Sequence, residues 1–157
     1  MDAHPEMMVR VVGNDEEWQD ARRVRQEVFV QEQSCPPDEE WDDHDATSRH
    51  LIGIVDAKAG SGETVAAARW REVQHEGHAM AKLERFAVRK PFRGRGYGRR
   101  LVKAAIEDAQ RAGYTRFILH AQAHLEAFYT SFGFASTGHR FDEVGIPHVE
   151  MTRVDDA

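Results

Sequence analysis

The order of strand-like and helix-like segments predicts an α/β protein with a mixed sheet. Hairpin-linked strand patterns occupy the first half of the chain, and a strand-helix-strand-helix order follows. Parallel strands need a crossover connection, which is almost always right-handed, so the second half predicts a parallel pair beside antiparallel hairpins. The length of 157 residues predicts one domain, residues 1–157, with a core of its own.

The chain is predicted to begin with a strand followed by a helix. A short apolar run at about 7–12 is typical of a strand. Asn14 followed by Glu17 resembles a capping box, and apolar residues recur at helical spacing as far as about Val30. Pro36-Pro37 prevents this helix from continuing.

The remaining elements follow from apolar periodicity and from glycines at the turns. Strands are predicted at about 49–55, 64–73, 78–88, 115–121, 134–142 and 147–154. Helices are predicted at about 101–112 and 125–132, each ended by a glycine. Turns are predicted at Gly60-Ser61-Gly62 and at Gly145.

Composition and charge exclude several classes of protein. The chain is 41% hydrophobic and 31% charged, which is typical of a folded globular protein. It has neither an apolar run of membrane-spanning length nor a signal-peptide pattern at its N-terminus. The single Cys35 fits a reducing compartment, and the net charge of -6 argues against general nucleic-acid binding. We therefore expect a cytoplasmic protein without a nucleic-acid or membrane partner.

The stretch Arg93-Gly94-Arg95-Gly96-Tyr97-Gly98 predicts an anion site. Glycines let the backbone pass close to a ligand, and the following helix would present unpaired N–H groups at the positive end of its dipole. Between Arg85 and Lys103 the chain has eight basic residues and no acidic one. A solvated basic turn is the alternative interpretation.

The glycine spacing distinguishes between known phosphate-binding loops. A Walker loop needs Lys and Ser or Thr after its last glycine, but Arg99 and Arg100 follow Gly98. A dinucleotide fingerprint would place its third glycine one residue later. The pattern that fits is Arg/Gln-x-x-Gly-x-Gly/Ala, here Arg93, Gly96 and Gly98, after a strand that ends Phe86-Ala87-Val88.

This pattern closely resembles the GCN5-related N-acetyltransferase (GNAT) superfamily. Residues 128–134 (Phe-Tyr-Thr-Ser-Phe-Gly-Phe) resemble its second signature, and 28–33, Cys35-Pro36 and 145–148 resemble its ElaA-like branch. The resemblance implies the GNAT acyl-CoA N-acyltransferase fold, a central mixed sheet of six to seven strands flanked by about four helices. It also implies acetyl-CoA as cosubstrate and transfer of the acetyl group to a primary amine by direct attack.

The resemblance assigns cofactor contacts to two parts of the chain. The loop and the helix start would hold the pyrophosphate, and the end of the preceding strand would offer backbone groups to the pantetheine and the thioester. Many members have Asn where this chain has Gln122, whose longer amide is expected to make a similar contact. The implied cofactor-binding residues are Phe86, Ala87, Val88, Arg93, Gly94, Arg95, Gly96, Tyr97, Gly98, Arg99 and Gln122.

Two side chains are candidates for proton chemistry. Tyr129 would stabilise the departing thiolate by a hydrogen bond, although its helical spacing also suits a core aromatic. Glu84, two residues before Phe86 and expected on the same strand face, would take the proton of the amine. The alternatives are that Glu84 pairs with an arginine, or that Glu32 or the acidic segment accepts the proton. The arginines in reach are Arg69, Arg71 and Arg85.

The amine that would accept the acetyl group is less well defined by the sequence. Residues 38–45 contain six acidic side chains, which form either a solvated loop or a wall that attracts a cationic amine. We expect a small-molecule or peptide amine, selected between 29 and 45 and near 145–148. His120 and His124 lack the Glu of a zinc-binding helix motif, so no metal is predicted. A non-catalytic acyl-CoA-binding module and a different acyl donor stay open, and a homodimer is compatible with the resemblance.

Overall fold

The computed structural model describes residues 5–56 and 62–155, which form seven strands and four α-helices. The predicted turn at Gly60 and Ser61 and the first four residues lie outside the described part. The elements are β1 (Met7–Val11), α1 (Asp15–Arg25), α2 (Pro37–Glu40), β2 (Arg49–Val55), β3 (Glu63–His75), β4 (His78–Val88), α3 (Tyr97–Arg111), β5 (Arg116–Gln122), α4 (Glu126–Thr130), β6 (Ala135–Glu143) and β7 (Ile146–Val154).

All seven strands join one sheet in the order β1-β2-β3-β4-β5-β7-β6. Every neighbouring pair is antiparallel except β4 and β5, which are parallel and are connected through α3. The predicted mixed sheet and its parallel pair are therefore confirmed. The polypeptide needs α3 at this point because a tight turn cannot join parallel strands.

Helices cover both faces of the sheet. Successive side chains of each strand point to opposite faces, so both faces carry apolar side chains that a helix covers. On the α1 face, Ala21, Val24 and Val28 pack against Ile52, Ala67 and Ala87. On the α3 face, Val102, Ile106 and Ala109 pack against Leu83, Phe117 and Leu119. These two apolar layers fix the sheet between the helices.

The segment after β1 differs from its prediction in three ways. Asn14 Oδ1 accepts from the N–H of Glu17 at 2.8 Å, but the Glu17 carboxylate accepts from Gly13 N rather than from Asn14. The helix continues past α1 in π-helical geometry over Gln26–Glu32. Pro37 begins α2, since proline suits the first turn of a helix, so part of the expected acidic loop is helical.

The parallel strands β4 and β5 separate soon after they meet. Only Ala81–Leu83 pairs with Phe117–Leu119, although β4 continues to Val88 and β5 to Gln122. Arg85 has a φ of 58°, and the register between β3 and β4 shifts at the same level. This bulge bends the end of β4 and opens a gap through the sheet.

Candidate active site

A cavity of about 830 Å³ occupies the gap between β4 and β5. Its walls come from both faces of the sheet: Leu101, Phe128 and Tyr129 from the α3 face, and Val28 and Phe29 from the π-helical segment. This volume lies in the range of small-molecule and cofactor sites. A ligand in it would reach from one face of the sheet to the other.

The glycine loop, residues 93–98, forms one end of the cavity. Gly94 and Gly96 have φ angles of 77° and 81°, which L side chains rarely adopt, and a Cβ on either would have no atom within 4 Å. Gly96 precedes the first turn of α3, which has no side-chain cap. The first N–H groups of α3 are therefore available to an anion at the positive end of the helix dipole. The φ angle of Gly98 lies outside the left-handed region, and a Cβ added at Gly98 would lie 3.9 Å from the ring of Phe128.

The arginines of the loop have different partners. Arg93 donates to the carbonyl of Val88 at 2.8 Å and pairs with the Glu32 carboxylate, which ties the loop to the π-helical segment. Arg95 donates to the carbonyl of Pro91, and Arg99 donates to Ser131 Oγ at 2.9 Å. Within the described residues neither Arg95 nor Arg99 has a carboxylate partner, so both cations can attract an anion at the loop.

Tyr129 is both a core aromatic and part of the cavity wall. Its ring lies 6.3 Å from that of Phe86 and 6.4 Å from that of Phe134, and the residue is 7% exposed. Burial raises the pKa of the Tyr129 hydroxyl well above its ordinary value, so the phenol stays protonated at neutral pH. It is suited to donate a hydrogen bond inside the cavity.

The environment of Glu84 matches the alternative interpretation of the sequence, in which this carboxylate pairs with arginines. The bulge at Arg85 breaks the alternation of side chains, so Glu84 points to the α1 face and Phe86 to the Tyr129 side; the predicted common face is wrong. Its carboxylate accepts from Arg69 Nε at 2.8 Å and from Arg71 Nε at 3.1 Å. Burial would raise the pKa of Glu84, but these partners outweigh burial and lower it to about 2. Such a carboxylate binds a proton weakly.

Much of the acidic segment is neutralised by arginines. Glu40 and Asp45 bind Arg25, Asp42 and Asp45 bind Arg69, and Glu40 and Asp42 approach Arg85. With Glu84, these residues form what we call the arginine–carboxylate network. The segment is therefore not a free anionic wall, because three of its six carboxylates are already paired with arginines. Asp38, Glu39 and Asp43 are exposed, and of these Glu39 borders the cavity.

The other end of the cavity lies on the α1 face and contains polar residues. We call it the acceptor end; it is formed by Gln33, Cys35, Glu39, Glu40, Glu143 and His148. Gln122 also borders the cavity, and its amide donates to Gln33 Oε1 at 3.3 Å. The sequence predicted acceptor contacts near 29–45 and 145–148, with Glu32 and the acidic segment as candidate proton acceptors. Only the fold shows that these two parts of the chain meet at the cavity.

Two further histidines lie in the wall of the cavity. His120 and His124 both border the cavity, and His120 Nε2 lies 3.5 Å from a Glu150 carboxylate oxygen. Burial lowers the pKa of His120 despite that carboxylate. Residues 5–56 and 62–155 contain no group of three or more His, Cys, Asp or Glu side chains placed to hold a metal ion.

In the same residues, no helix is long and apolar enough to cross a membrane.

Comparisons with known proteins agree with this geometry. Residues 20–154 match the family described as Acetyltransferase (GNAT) domain. The chain is 36% identical over 148 residues to the uncharacterized N-acetyltransferase YjcF of Bacillus subtilis, covering 94% of this chain and 99% of that protein. An acyl-CoA N-acyltransferase from Pseudomonas aeruginosa has a TM-score of 0.79 at 30% identity, covering 96% of this chain and 100% of that one. Escherichia coli ElaA has a TM-score of 0.77 at 29% identity, covering 96% and 99%.

Proposed function

The chain belongs to the GNAT acetyltransferase family, and we propose that it transfers an acetyl group from acetyl-CoA to a primary amine of a small molecule or peptide by direct attack. The observation that carries this proposal is the uncapped start of α3 beside Gly94 and Gly96, at the mouth of a cavity that passes between β4 and β5. We further propose that residues 1–157 act as one domain in the cytoplasm.

In this proposal the glycine loop holds the pyrophosphate of acetyl-CoA. The N–H groups at the start of α3 would donate to the phosphate oxygens, with Arg95 and Arg99 nearby. The end of β4, from Phe86 to Val88, has no β5 partner. The Val88 carbonyl accepts from Arg93, and the other backbone groups on that side would meet the pantetheine arm and the thioester oxygen. Hydrogen-bond donors that are held in place before the reaction would stabilise the negative charge that develops on the thioester oxygen.

The reaction joins the amine nitrogen to the thioester carbon and breaks the carbon–sulfur bond. The electron pair of that bond goes to sulfur, and the amine loses one proton. Tyr129 would donate a hydrogen bond to the sulfur as its charge develops. Because burial raises the pKa of Tyr129, complete proton transfer to a thiolate is unfavourable, and the hydrogen bond itself is the contribution.

Thiol release from acetyl-CoA tests the proposed function. We expect release with at least one amine of a panel that includes 1,4-diaminobutane, lysine amide, glycinamide and a peptide with a free N-terminus. The opposite result is no release with any amine while CoA still raises the melting temperature. That result would identify a non-catalytic CoA-binding module.

Replacing Tyr129 tests its part in the reaction. Tyr129→Phe should lower kcat about 100-fold, the usual loss for one donor to a developing anion, and leave CoA affinity unchanged. Tyr114→Phe is a matched control, because the Tyr114 hydroxyl donates to Glu72 at 2.6 Å and lies outside the cavity wall. A kcat that is unchanged in Tyr129→Phe would remove Tyr129 from the mechanism.

A further inference from the structure

The acceptor end contains a buried imidazole with a fixed orientation. His148 is 6% exposed, borders the cavity, and lies beside Gln122 across the β5–β7 pair. Its Nδ1 is 2.7 Å from the carbonyl oxygen of Ile146. A carbonyl only accepts hydrogen bonds, so Nδ1 carries the proton, and in the neutral ring Nε2 has the free electron pair.

Packing holds this ring in place. The His148 ring stacks on Phe141 with centroids 5.7 Å apart and an angle of 20° between the planes. Backbone hydrogen bonding and stacking together fix both the tautomer and the ring direction. Such pre-set orientation is what a proton acceptor in an active site needs.

The atoms around Nε2 suit an ammonium group. The nearest carboxylate oxygen, Glu143 Oε2, is 3.6 Å away, beyond hydrogen-bond distance, and Glu143 is half-exposed. An ammonium has three donors, so it can bind Nε2 and Glu143 at once. The other charged and titratable groups of the cavity wall on this face are Glu39, Cys35, Glu84, His120 with Glu150, and Glu40 with its partner Arg85.

We propose that His148 Nε2 is the general base that accepts the proton of the acceptor amine. This inference rests on the proposed function. The bound ammonium gives one proton to Nε2 and becomes the neutral amine, whose nitrogen attacks the thioester carbon. The N–C bond forms, the C–S bond breaks with its electron pair on sulfur, and the second proton of the nitrogen goes to the departing sulfur, which leaves as the thiol. The resulting imidazolium faces the Glu143 carboxylate, whose exposure gives the proton a route to solvent.

Two other groups are less suited to this role. The Glu84 carboxylate is held by Arg69 and Arg71, and its low pKa makes it a weak base. The His120 ring lies 3.5 Å from a Glu150 carboxylate oxygen and meets the Phe141 ring edge-on at 4.9 Å, but among the described residues no backbone carbonyl fixes its tautomer.

The test compares matched substitutions in the full chain. Asparagine at 148 keeps a donor for the Ile146 carbonyl and removes the Nε2 base. With the panel amine that gives the fastest thiol release, His148→Asn should lower kcat/KM by about 100-fold or more and leave CoA affinity unchanged. His139→Asn is the control, because His139 stacks on the same Phe141 ring at 5.0 Å but is exposed and outside the cavity wall.

Two readouts separate a base from a structural residue. For the unchanged protein, kcat/KM should fall towards acid pH, because a protonated Nε2 cannot accept the amine proton, and His148→Asn should lose this acid dependence. Nitrogen-15 NMR of the CoA-bound protein, with the His148 signal assigned by its absence in His148→Asn, should show protonated Nδ1 and unprotonated Nε2 at pH 7.5.

Failures of the two proposals are distinguishable. If the unchanged protein acetylates no amine, the proposed function fails and the role of His148 falls with it. If the unchanged protein acetylates an amine and His148→Asn is equally active, only the base assignment is overturned. A protonated Nε2 at pH 7.5, or a loss of activity in His120→Asn but not in His148→Asn, also overturns it.

Discussion

The glycine loop and the arginine–carboxylate network border the same cavity but satisfy their polar groups in opposite ways. The loop leads into α3 with backbone N–H groups that no side chain caps. The network pairs its carboxylates with Arg25, Arg69 and Arg85 within the chain. Donors that no side chain of the described residues caps, rather than a high density of charge, are what support the proposed ligand site.

The network is a structural element of the α1 face. The side chains of Arg25 and Arg69 are each 1% exposed, and their partners come from α2, from the segment before β2 and from β4. Charges this deeply buried are tolerated because each is paired and hydrogen-bonded. The network therefore ties the acidic segment to the sheet beside the acceptor end.

Removing Arg69 should have the largest effect on stability. Arg69→Met leaves Asp42, Asp45 and Glu84 without their common partner, which should lower the free energy of unfolding by about 3–5 kcal/mol. Urea denaturation measures this change. Arg140→Gln, which breaks the exposed pair with Glu126, should cost about 1 kcal/mol or less. Equal losses in the two variants would contradict the structural role of the network.

Changing Gly96 should have the next largest effect, on CoA binding. Gly96→Asp places a carboxylate where the anion should lie, and CoA affinity in calorimetry should fall at least about 100-fold, since the helix start now repels phosphate. Gly77→Asp is the matched control: φ is 80° at Gly77 and 81° at Gly96, neither Cβ would meet another atom within 4 Å, and Gly77 lies in the β3–β4 turn. Weakened CoA binding in Gly77→Asp would attribute the loss to backbone strain instead.

Most of the fold was predictable because it depends on local patterns. The apolar stripe of α3 follows a period that the sequence shows directly, and every strand lies within a few residues of its predicted position. The π-helical turn at Gln26–Glu32 and the bulge at Arg85 were not predicted. Both are departures from regular hydrogen bonding that tertiary packing stabilises, so no periodic signal marks them.

The candidate site also has a part that depends on neighbouring residues in the sequence and a part that depends on contacts made only in the fold. The sequence located the glycine loop because its function depends on consecutive residues. It offered Glu84 both as a base and as a partner of Arg69, and it allowed the acidic segment to be a substrate wall. A sequence does not show which carboxylates Arg69 reaches, since Asp42 is 27 residues and Glu84 is 15 residues away along the chain. The role inferred for His148 also depends on distance in space, since Glu143 and Phe141 reach it across the β6–β7 pair.

The smallest expected effect is the contribution of the arginine–carboxylate network to the pH dependence of the free energy of unfolding. The pKa of Glu84 is lowered from 4.5 to about 2 in the folded protein, so its contribution to stability is complete above pH 4.5 and is lost as the pH falls from there towards 2. Each such group steepens the fall in the free energy of unfolding by at most about 1.4 kcal/mol per pH unit. Urea denaturation between pH 5 and pH 3 should therefore give a shallower fall for Glu84→Gln than for the unchanged protein. Glu126→Gln, which removes a partly exposed carboxylate outside the network, is the control. An unchanged slope in Glu84→Gln would show that the arginines do not hold Glu84 ionised.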